Sequence, residues 1–401
     1  MRIVSLVGAR PNFVKIASLL RAMRAFSHIE SILVHTGQHY DAAMSEAFFT
    51  ELDIPSPDIN LGVGSSDSEY QIHEIIERLE PVIRSAKPNA IIVVGDVNST
   101  LAGALAAAKL RVPLAHIEAG LRSFDRTMPE EINRVVTDSL SDLLFASEPS
   151  GLKNLLREGK PARQVFLAGN VMIDTLRRCL PAARRLHELN DLGLGDPQRN
   201  STQHPSYAVV TLHRPSTVDD PRTLRVICQA IEEIACEIPT VFPVHPRTCA
   251  KLQQACLTAH DRPSPTNGQP GIRLIPPLSY LQFLSLQARA TLVITDSGGI
   301  QEETTVLGVP CLTVRENTER PITVTEGTNT LVGLDPERLI KEARKVIRGE
   351  GKRGRVPALW DGHASERIIT ILSNQFRPRS VMIQSVPIRP SSGQLVPLPS
   401  A

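Results

Sequence analysis

The stretch IVSLVGARPNFVK, residues 3–15, decides the fold class of this chain. Ile3–Gly8 is a short apolar run, and Pro11 and an amphipathic pattern follow it directly. Proline is favoured in the first turn of a helix, so this arrangement predicts a strand, a tight turn and then a helix. Arg10 and Lys15 add two cations at the helix N-terminus, where they oppose the helix dipole unless an anion such as phosphate binds there.

The same alternation of short apolar and longer amphipathic runs continues to about residue 376. It predicts first-half strands at Ile3–Gly8, Ser31–Thr36, Ala90–Gly95, Val112–Ile117 and Val165–Ala168. It predicts first-half helices at Phe13–Phe26, Ser68–Ser85, Ser99–Leu110, Glu130–Phe145 and Ile173–Leu186. Second-half strands are predicted at Tyr207–Leu212, Thr240–Val244, Ile272–Ile275, Thr291–Thr295 and Pro310–Val314. Second-half helices are predicted at Leu224–Cys236, Thr248–His260, Tyr280–Ala288, Ile300–Leu307 and Glu337–Arg348.

This order of elements predicts an α/β protein with two Rossmann-like domains, each built on a parallel sheet. Residues 1–180 form the first domain, which the helix at 364–376 completes, and residues 206–363 form the second. Between them, Asn190–Pro205 has the composition of a linker. The tail at 377–401 is rich in proline and serine without apolar periodicity, and is predicted to be disordered.

Composition narrows the class of function. The chain has 401 residues, 41% of them hydrophobic, and a net charge of only +2. No global field therefore attracts nucleic acid, and an aromatic content of 4% offers few stacking platforms. No apolar run is long enough to span a membrane, and the six cysteines form no Cys-x-x-Cys pair. We expect a cytoplasmic protein that binds neither nucleic acid nor membranes.

Carboxylates follow several first-domain strands. Asp96 follows the third strand, Glu118 ends the fourth, and Glu130 and Glu131 open the next helix. Asp96 could cap a helix, and one of the two glutamates could serve only the helix dipole. Ligands in open parallel sheets bind beyond the carboxyl ends of the strands, so all these acids would reach one rim. Proton transfer is the favoured interpretation over metal binding, because no compact set of histidine and aspartate ligands accompanies the acids.

Second-domain strands end in groups suited to an anion. Two of them run into His213 and His245, each with an arginine close behind, and a third runs into Ser297-Gly298-Gly299 before a helix. Glycines let a phosphate approach the backbone N–H groups at a helix N-terminus. Glu303 lies within reach of a ribose diol, and Arg315 opens a further charged cluster with Glu319 and Arg320. The residues alone thus predict a nucleoside diphosphate ligand and a reaction that uses acids and a histidine rather than a cofactor.

The chain resembles the non-hydrolysing UDP-N-acetylglucosamine 2-epimerases. Motifs of that family occur in family order up to about residue 375: GARPNFVK (8–15), TGQH (36–39), GDVNST (95–100), HIEAGLRS (116–123), PEEINR (129–134), GNVMIDTL (169–176), HRP (213–215), DSGGIQEE (296–303) and TERP (318–321). The resemblance implies the glycosyltransferase-B architecture with two domains facing a cleft, a homodimer, and neither metal nor redox cofactor. It implies a UDP-sugar substrate and elimination of UDP through 2-acetamidoglucal, followed by re-addition.

The resemblance also implies roles for individual residues. Asp96, Glu118 and Glu130 are the expected acid/base groups, and His213 would assist departure of UDP. Residues expected to bind the substrate are Arg10, Lys15, His245, Ser297, Gly298, Gly299, Glu303 and Arg315. Family segments that help bind a second, activating substrate differ here at Tyr40–Ala43 and Pro215–Thr217, so the sequence does not predict allosteric activation.

Three alternatives stay open at the level of sequence. The Tyr40–Phe49 stretch resembles relatives that epimerise UDP-2,3-diacetamido-glucuronic acid. A glycosyltransferase would share the architecture but would leave Asp96, Glu118 and Glu130 without a common task. A catalytically dead nucleotide-sugar sensor would retain binding without turnover.

Overall fold

The computed structural model describes residues 1–38, 48–186, 192, 194, 206–244, 246–254 and 270–376. The predictions made for His245, Tyr40–Ala43 and the tail Arg377–Ala401 therefore lie outside the described residues, as does most of the segment Asn190–Pro205.

Seven parallel strands form the first sheet, in the order β3-β2-β1-β4-β5-β6-β7. They are β1 (Arg2–Val7), β2 (Glu30–His35), β3 (Ile59–Asn60), β4 (Ala90–Val94), β5 (Leu114–Ile117), β6 (Leu143–Ala146) and β7 (Val165–Leu167). The helices around this sheet are α1 (Arg10–Arg24), α2 (Ser68–Ala86), α3 (Asn98–Leu110), α4 (Pro129–Leu140), α5 (Pro149–Arg157) and α6 (Val171–Ala183).

Strand β4 shows why this sheet is buried on both faces. Ile91 and Val93 pack into the core under α2 and α3, whereas Ile92 and Val94 pack into the opposite core with α1 and α6. Side chains alternate across a strand, so a continuous apolar run supplies both cores at once.

Six parallel strands form the second sheet, in the order β10-β9-β8-β11-β12-β13. They are β8 (Ala208–Thr211), β9 (Pro239–Pro243), β10 (Gly271–Ile275), β11 (Leu292–Thr295), β12 (Cys311–Thr313) and β13 (Asn329–Leu331). The helices are α7 (Pro215–Val218), α8 (Pro221–Ala235), α9 (Pro246–Gln254), α10 (Tyr280–Gln287), α11 (Gly298–Leu307), α12 (Pro321–Thr325) and α13 (Pro336–Ile347).

The last described helix, α14 (Ala364–Phe376), packs on α1 and α6 of the first domain. Its Ile368, Ile369 and Leu372 are fully buried in the same core as Phe13. The division of the chain at residues 180, 206 and 363 stays a prediction.

One predicted element is wrong. The expected helix at Glu130–Phe145 is two elements, because α4 ends at Leu140 and strand β6 begins at Leu143. The run LLFA in β6 is short and wholly apolar, so its periodicity does not separate a buried strand from the end of a helix. The sequence analysis also missed the short strands β3 and β13 and helix α5.

Strand order reverses between β1 and β4 in the first sheet and between β8 and β11 in the second. A ligand of an open parallel sheet binds at such a reversal, beyond the strand ends. The segments that leave these four strands carry most of the residues predicted to act on the substrate. Among the described helices, none is both long and apolar enough to cross a bilayer.

Candidate active site

The turn after β1 is held by Asn12. Its Oδ1 accepts the N–H groups of Gly8 (3.1 Å) and Ala9 (3.2 Å), and its Nδ2 donates to the Val94 carbonyl at 2.9 Å. This side chain therefore ties the end of β1 to the end of β4. Lys15, one turn into α1, points from here into the protein and is 5% exposed.

Glu118 meets two cations. Its carboxylate forms ion pairs with Lys15 of the first domain and with Arg320 of the second, the latter at 2.6 Å. Glu118 directly follows β5 and has a φ of 72°, a conformation that costs free energy in a residue other than glycine. Neighbouring Gly95 has a φ of 70°, and a Cβ there would lie 2.8 Å from the Lys15 Nζ. The backbone is shaped so that lysine and glutamate can meet.

Asp96 pairs with Arg134, whose Nε lies 3.0 Å from its Oδ2. Burial alone raises the pKa of Asp96, but the charges of Arg134, Lys15 and Arg320 outweigh burial and hold its pKa below the usual value. The capping interpretation is wrong, because α3 has Val97 at its N-cap and no side-chain cap. Asp96 is thus available to the cleft as an ionised carboxylate.

Adjacent glutamates at the start of α4 have different surroundings. Glu131 is buried and accepts hydrogen bonds from the Ser123 N–H (2.9 Å), the Phe124 N–H (3.0 Å) and Arg134. Glu130 is half-buried, and no hydrogen bond or ion pair to it is found within the described part of the chain. Glu131 therefore shapes the loop after β5, and Glu130 remains free to meet a ligand.

In the second domain, Asp296 orients His213. The His213 N–H donates to Asp296, and the ring Nδ1 lies 3.1 Å from Asp296 Oδ1. Burial raises the pKa of Asp296, but the bonds from His213 and from the Arg214 N–H outweigh it, so the pKa lies below its usual value. The imidazole is 44% exposed, and its Nε2 is left for a ligand.

The N-terminus of α11 is an open anion cradle. Ser297 is the N-cap, yet its hydroxyl caps no backbone N–H. Gly298 is buried against Arg320 and Glu319, whose side-chain atoms a Cβ would overlap, while Gly299 faces Met172 of the first domain. Free N–H groups at a helix N-terminus and an unused hydroxyl suit a phosphate.

Arginines crowd around Glu319 beside that cradle. Arg315 Nη2 lies 2.7 Å and Arg214 Nη2 3.4 Å from its carboxylate, and Arg320 pairs with it too. Burial raises the pKa of Glu319, but the charges of Arg320 and the other arginines drive its pKa well below the usual value. Arg315 keeps one buried nitrogen, Nη1, without a partner among the described residues.

Two predicted ligand residues lie apart from this centre. Arg10 stacks over the Phe48 ring, with 4.5 Å between its Cζ and the ring centroid. Glu303 is buried and accepts a hydrogen bond from the Tyr280 hydroxyl at 3.0 Å, and burial raises its pKa to about 7. His245 lies outside the described residues.

The structure thus brings Lys15, Asp96 and Glu118 together with the cradle at Ser297–Gly299. It also adds residues to which the sequence gave no role, namely Arg134, Asp296, Glu302, Glu319 and Arg320. Asp296 directly follows β11, and Glu319 and Arg320 belong to a visible charged cluster, so position after a strand was a usable signal for these three. Arg134 and Glu302 lie inside helices, where nothing local marks them. No group of histidine, cysteine and acidic residues able to hold a metal is found in the described ranges.

Two parallel α/β domains that face a cleft, with acids on one wall and an anion cradle on the other, define an enzyme of the glycosyltransferase-B architecture acting on nucleotide sugars. The family described as UDP-N-acetylglucosamine 2-epimerase matches residues 21–373. The chain therefore belongs to the UDP-N-acetylglucosamine 2-epimerase family, which confirms the predicted family and reaction class.

Individual relatives agree with this assignment. The UDP-N-acetylglucosamine 2-epimerase of Methanocaldococcus jannaschii is 40% identical, over 93% of this chain and 99% of its own. The UDP-2,3-diacetamido-2,3-dideoxy-D-glucuronate 2-epimerase of Pseudomonas aeruginosa is 39% identical over the same shares. The crystal structure of the M. jannaschii enzyme in complex with UDP-GlcNAc and UDP superposes with a TM-score of 0.83, over 93% of this chain and all of that one, at 39% identity.

Proposed function

We propose that this chain epimerises UDP-N-acetylglucosamine at C2 to give UDP-N-acetylmannosamine. A carboxylate takes the C2 proton while the C1–O bond breaks. The electron pair of that bond goes to the β-phosphate oxygen of UDP, and a C1–C2 double bond forms. The proton then returns to C2 on the opposite face, and UDP adds back at C1.

The observation that carries this proposal is a single bridge across the cleft. Glu118 of the first domain pairs with Arg320, and Arg320 packs against Gly298 at the start of α11. A UDP-sugar whose diphosphate occupies that helix N-terminus has its sugar directed towards Glu118. Preorganised donors that face the departing diphosphate stabilise the charge it gains, which lowers the barrier to C1–O cleavage.

Acid/base roles fall to Asp96, Glu118 and Glu130. Asp96 and Glu118 are fixed by cations, so each can stabilise positive charge or take a proton only where substrate displaces a partner. Glu130 has an unoccupied carboxylate at the cleft rim, which suits direct proton exchange with the substrate. His213, held by Asp296, faces the departing UDP through its Nε2. Ser297, Gly298, Gly299, Lys15 and Arg315 hold the diphosphate; Arg10, His245 and Glu303 complete the nucleotide site.

The sugar has one rival. The relative that acts on UDP-2,3-diacetamido-2,3-dideoxy-D-glucuronate is 39% identical to this chain, against 40% for the relative named for UDP-N-acetylglucosamine. Overall identity therefore does not separate the two substrates. We favour UDP-N-acetylglucosamine because the matched family and more of the relatives bear its name.

The test is to incubate the purified protein separately with each of the two UDP-sugars in deuterated water. UDP-N-acetylglucosamine should give UDP-N-acetylmannosamine that carries deuterium at C2. Unlabelled, unchanged UDP-N-acetylglucosamine alongside conversion of the diacetamido-glucuronate would overturn the proposed substrate. Release of free N-acetylmannosamine and UDP would instead identify a hydrolysing enzyme.

A homodimer and a cytoplasmic location are further proposals. The homodimer rests on the resemblance to the family, and sedimentation at several protein concentrations tests it. A purely monomeric species at micromolar concentration would contradict it.

A further inference from the structure

Arg320 is surrounded by carboxylates from both domains. Its Nη2 lies 2.6 Å from Glu118 Oε1, its Nε lies 2.9 Å from Glu302 Oε1, and its Nη1 pairs with Glu319. The side chain is 6% exposed. One buried guanidinium therefore connects the acid of the first domain to the anion site of the second.

The same guanidinium borders the phosphate cradle. A Cβ on Gly298 would overlap Nη1 and Cζ of Arg320, so the arginine lies directly against the backbone that opens α11. A diphosphate bound at that helix N-terminus would have Arg320 within reach. Arginine forms two parallel hydrogen bonds with a phosphate as readily as with a carboxylate.

The residues after Arg320 dock on the first domain. Glu148, at the start of α5, accepts a hydrogen bond from the Ile322 N–H. Ile322 packs in a small cluster with Ile173 and Trp360, and the Trp360 indole N–H donates to the Ser147 carbonyl at 2.9 Å. A displacement of Arg320 would therefore be felt at Trp360, the only tryptophan of the chain.

From these contacts we infer that Arg320 is a catalytic residue shared between Glu118 and the diphosphate of the substrate. It holds Glu118 until the C1–O bond breaks and the electron pair moves to the β-phosphate oxygen. The guanidinium then bonds to the new charge and leaves Glu118, whose freed oxygen accepts the C2 proton as the C1–C2 double bond forms. Departure of UDP and removal of the proton are thereby linked through one side chain.

This inference rests on the proposed function, and it differs from a merely structural role for Arg320. Lys15 also pairs with Glu118, so loss of Arg320 leaves that carboxylate with a cation and a fixed position. A structural bridge between the domains would affect stability and ligand affinity. A shared catalytic cation affects the rate of the chemical step.

The kinetic test compares Arg320→Gln, Arg320→Lys, Glu118→Gln and the double variant with the wild type. We expect Arg320→Gln to lower kcat by at least about a hundredfold, the scale for losing one preorganised donor, while the Kd for UDP rises less than about tenfold. Arg320→Lys should recover at least about tenfold of the lost kcat, since a cation is restored. The double variant should be within about threefold of Glu118→Gln, because groups that act together are not additive.

The matched control is Arg344→Gln, which removes a surface arginine that pairs with Glu233 and Glu237. Its kcat should equal that of the wild type. A kcat within about threefold of wild type for Arg320→Gln, with only a lower melting temperature, would overturn the inference in favour of a structural bridge.

A second readout does not need turnover. UDP alone should change the emission of Trp360 in the wild type and in Arg344→Gln, and should leave it unchanged in Arg320→Gln although calorimetry shows UDP bound. If the wild type epimerises no UDP-sugar, the proposed function fails but this response still tests the movement of Arg320. Binding of UDP without any emission change in the wild type would contradict that movement.

Discussion

Two buried charge networks start from the same strand, β5, and differ in what they join. The intradomain network consists of His116, Asp138, Arg122 and Glu158, and all of its members belong to the first domain. The interdomain network consists of Lys15, Glu118, Glu302 and Arg320, and its centre is a contact between the two domains. His116 and Glu118 are only two residues apart in the sequence.

The intradomain network is closed and satisfied. His116 bonds Asp138 at 2.7 Å through Nδ1 and donates to the Gly95 carbonyl at 2.8 Å through Nε2. Asp138 also accepts from the Gly120 N–H and from Arg122. Burial raises the pKa of Asp138, but His116 and Arg122 outweigh burial, so its pKa lies below the usual value and it stays charged. This network fixes the loop that carries Glu118.

The interdomain network is incomplete. Burial raises the pKa of Glu302, and both of its oxygens lack a well-aligned hydrogen bond within the described part of the protein. Glu118 has a strained backbone, and its two cations come from different domains. Charges that a change in domain spacing can separate suit catalysis, whereas charges closed within one domain suit stability. Four measurements can break or sharpen this contrast.

The largest effect is expected for Asp138→Ala. This variant leaves His116 and Arg122 buried without their shared carboxylate, so the free energy of unfolding should fall by about 3–5 kcal/mol. Urea denaturation monitored by circular dichroism measures the loss. A loss below about 1 kcal/mol would show that the intradomain network is not what stabilises this loop.

Glu118→Gln should act on turnover. We expect the rate of C2 deuterium exchange to fall by at least about a hundredfold, the usual scale for an acid/base group. Its loss of unfolding free energy should be smaller than that of Asp138→Ala, because Arg320 keeps Glu302 and Glu319 as partners. Asp96→Asn should lose turnover on the same scale. Near-normal exchange in either variant would remove that residue from the mechanism.

Glu148→Gln tests the border between the two networks through pH. Burial raises the pKa of Glu148 to about 7, with Ser150, Arg320, Glu118 and the Ile322 N–H as its neighbours. A carboxyl with a raised pKa stabilises the fold below its unfolded pKa, and that stability is lost as pH rises through about 7. Between pH 5 and 8, the wild type should therefore lose about 2 kcal/mol more than Glu148→Gln. Parallel urea midpoints for both proteins across this range would contradict the burial of a charge here.

The smallest effect is expected at the edge of the intradomain network. The Glu158 side chain is 36% exposed and pairs with Arg122, which retains Asp138. Glu158→Gln should therefore cost no more than about 1 kcal/mol of unfolding free energy and leave turnover unchanged. A larger cost would mean that the exposed end, rather than the buried centre, stabilises this network.

Much of the fold could be predicted from periodicity. Apolar runs marked β1, β4 and β11 because buried parallel strands are continuously hydrophobic. The strand β6 was missed because Leu143–Ala146 directly follows a helix and lacks a turn residue that would mark the change. Strands β3 and β13 have two and three residues, too few to show any pattern.

The candidate site divides in the same way. Asp96, Glu118, His213 and Ser297 were visible because each directly follows a strand, where parallel sheets collect ligand-binding groups. Their partners were not visible. Arg134 lies inside α4 and Arg320 lies 202 residues from Glu118, so only the folded chain shows which acid each of them meets.

The sequence by itself determined the class of fold, the family and the types of chemical group at the strand ends, because these depend on local pattern and on order along the chain. The tertiary structure decided which carboxylates are neutralised, which one stays free, and that a single arginine reaches both walls of the cleft. Those properties depend on distances of a few ångströms between segments far apart in sequence, and Coulomb interactions and burial act through distance in space.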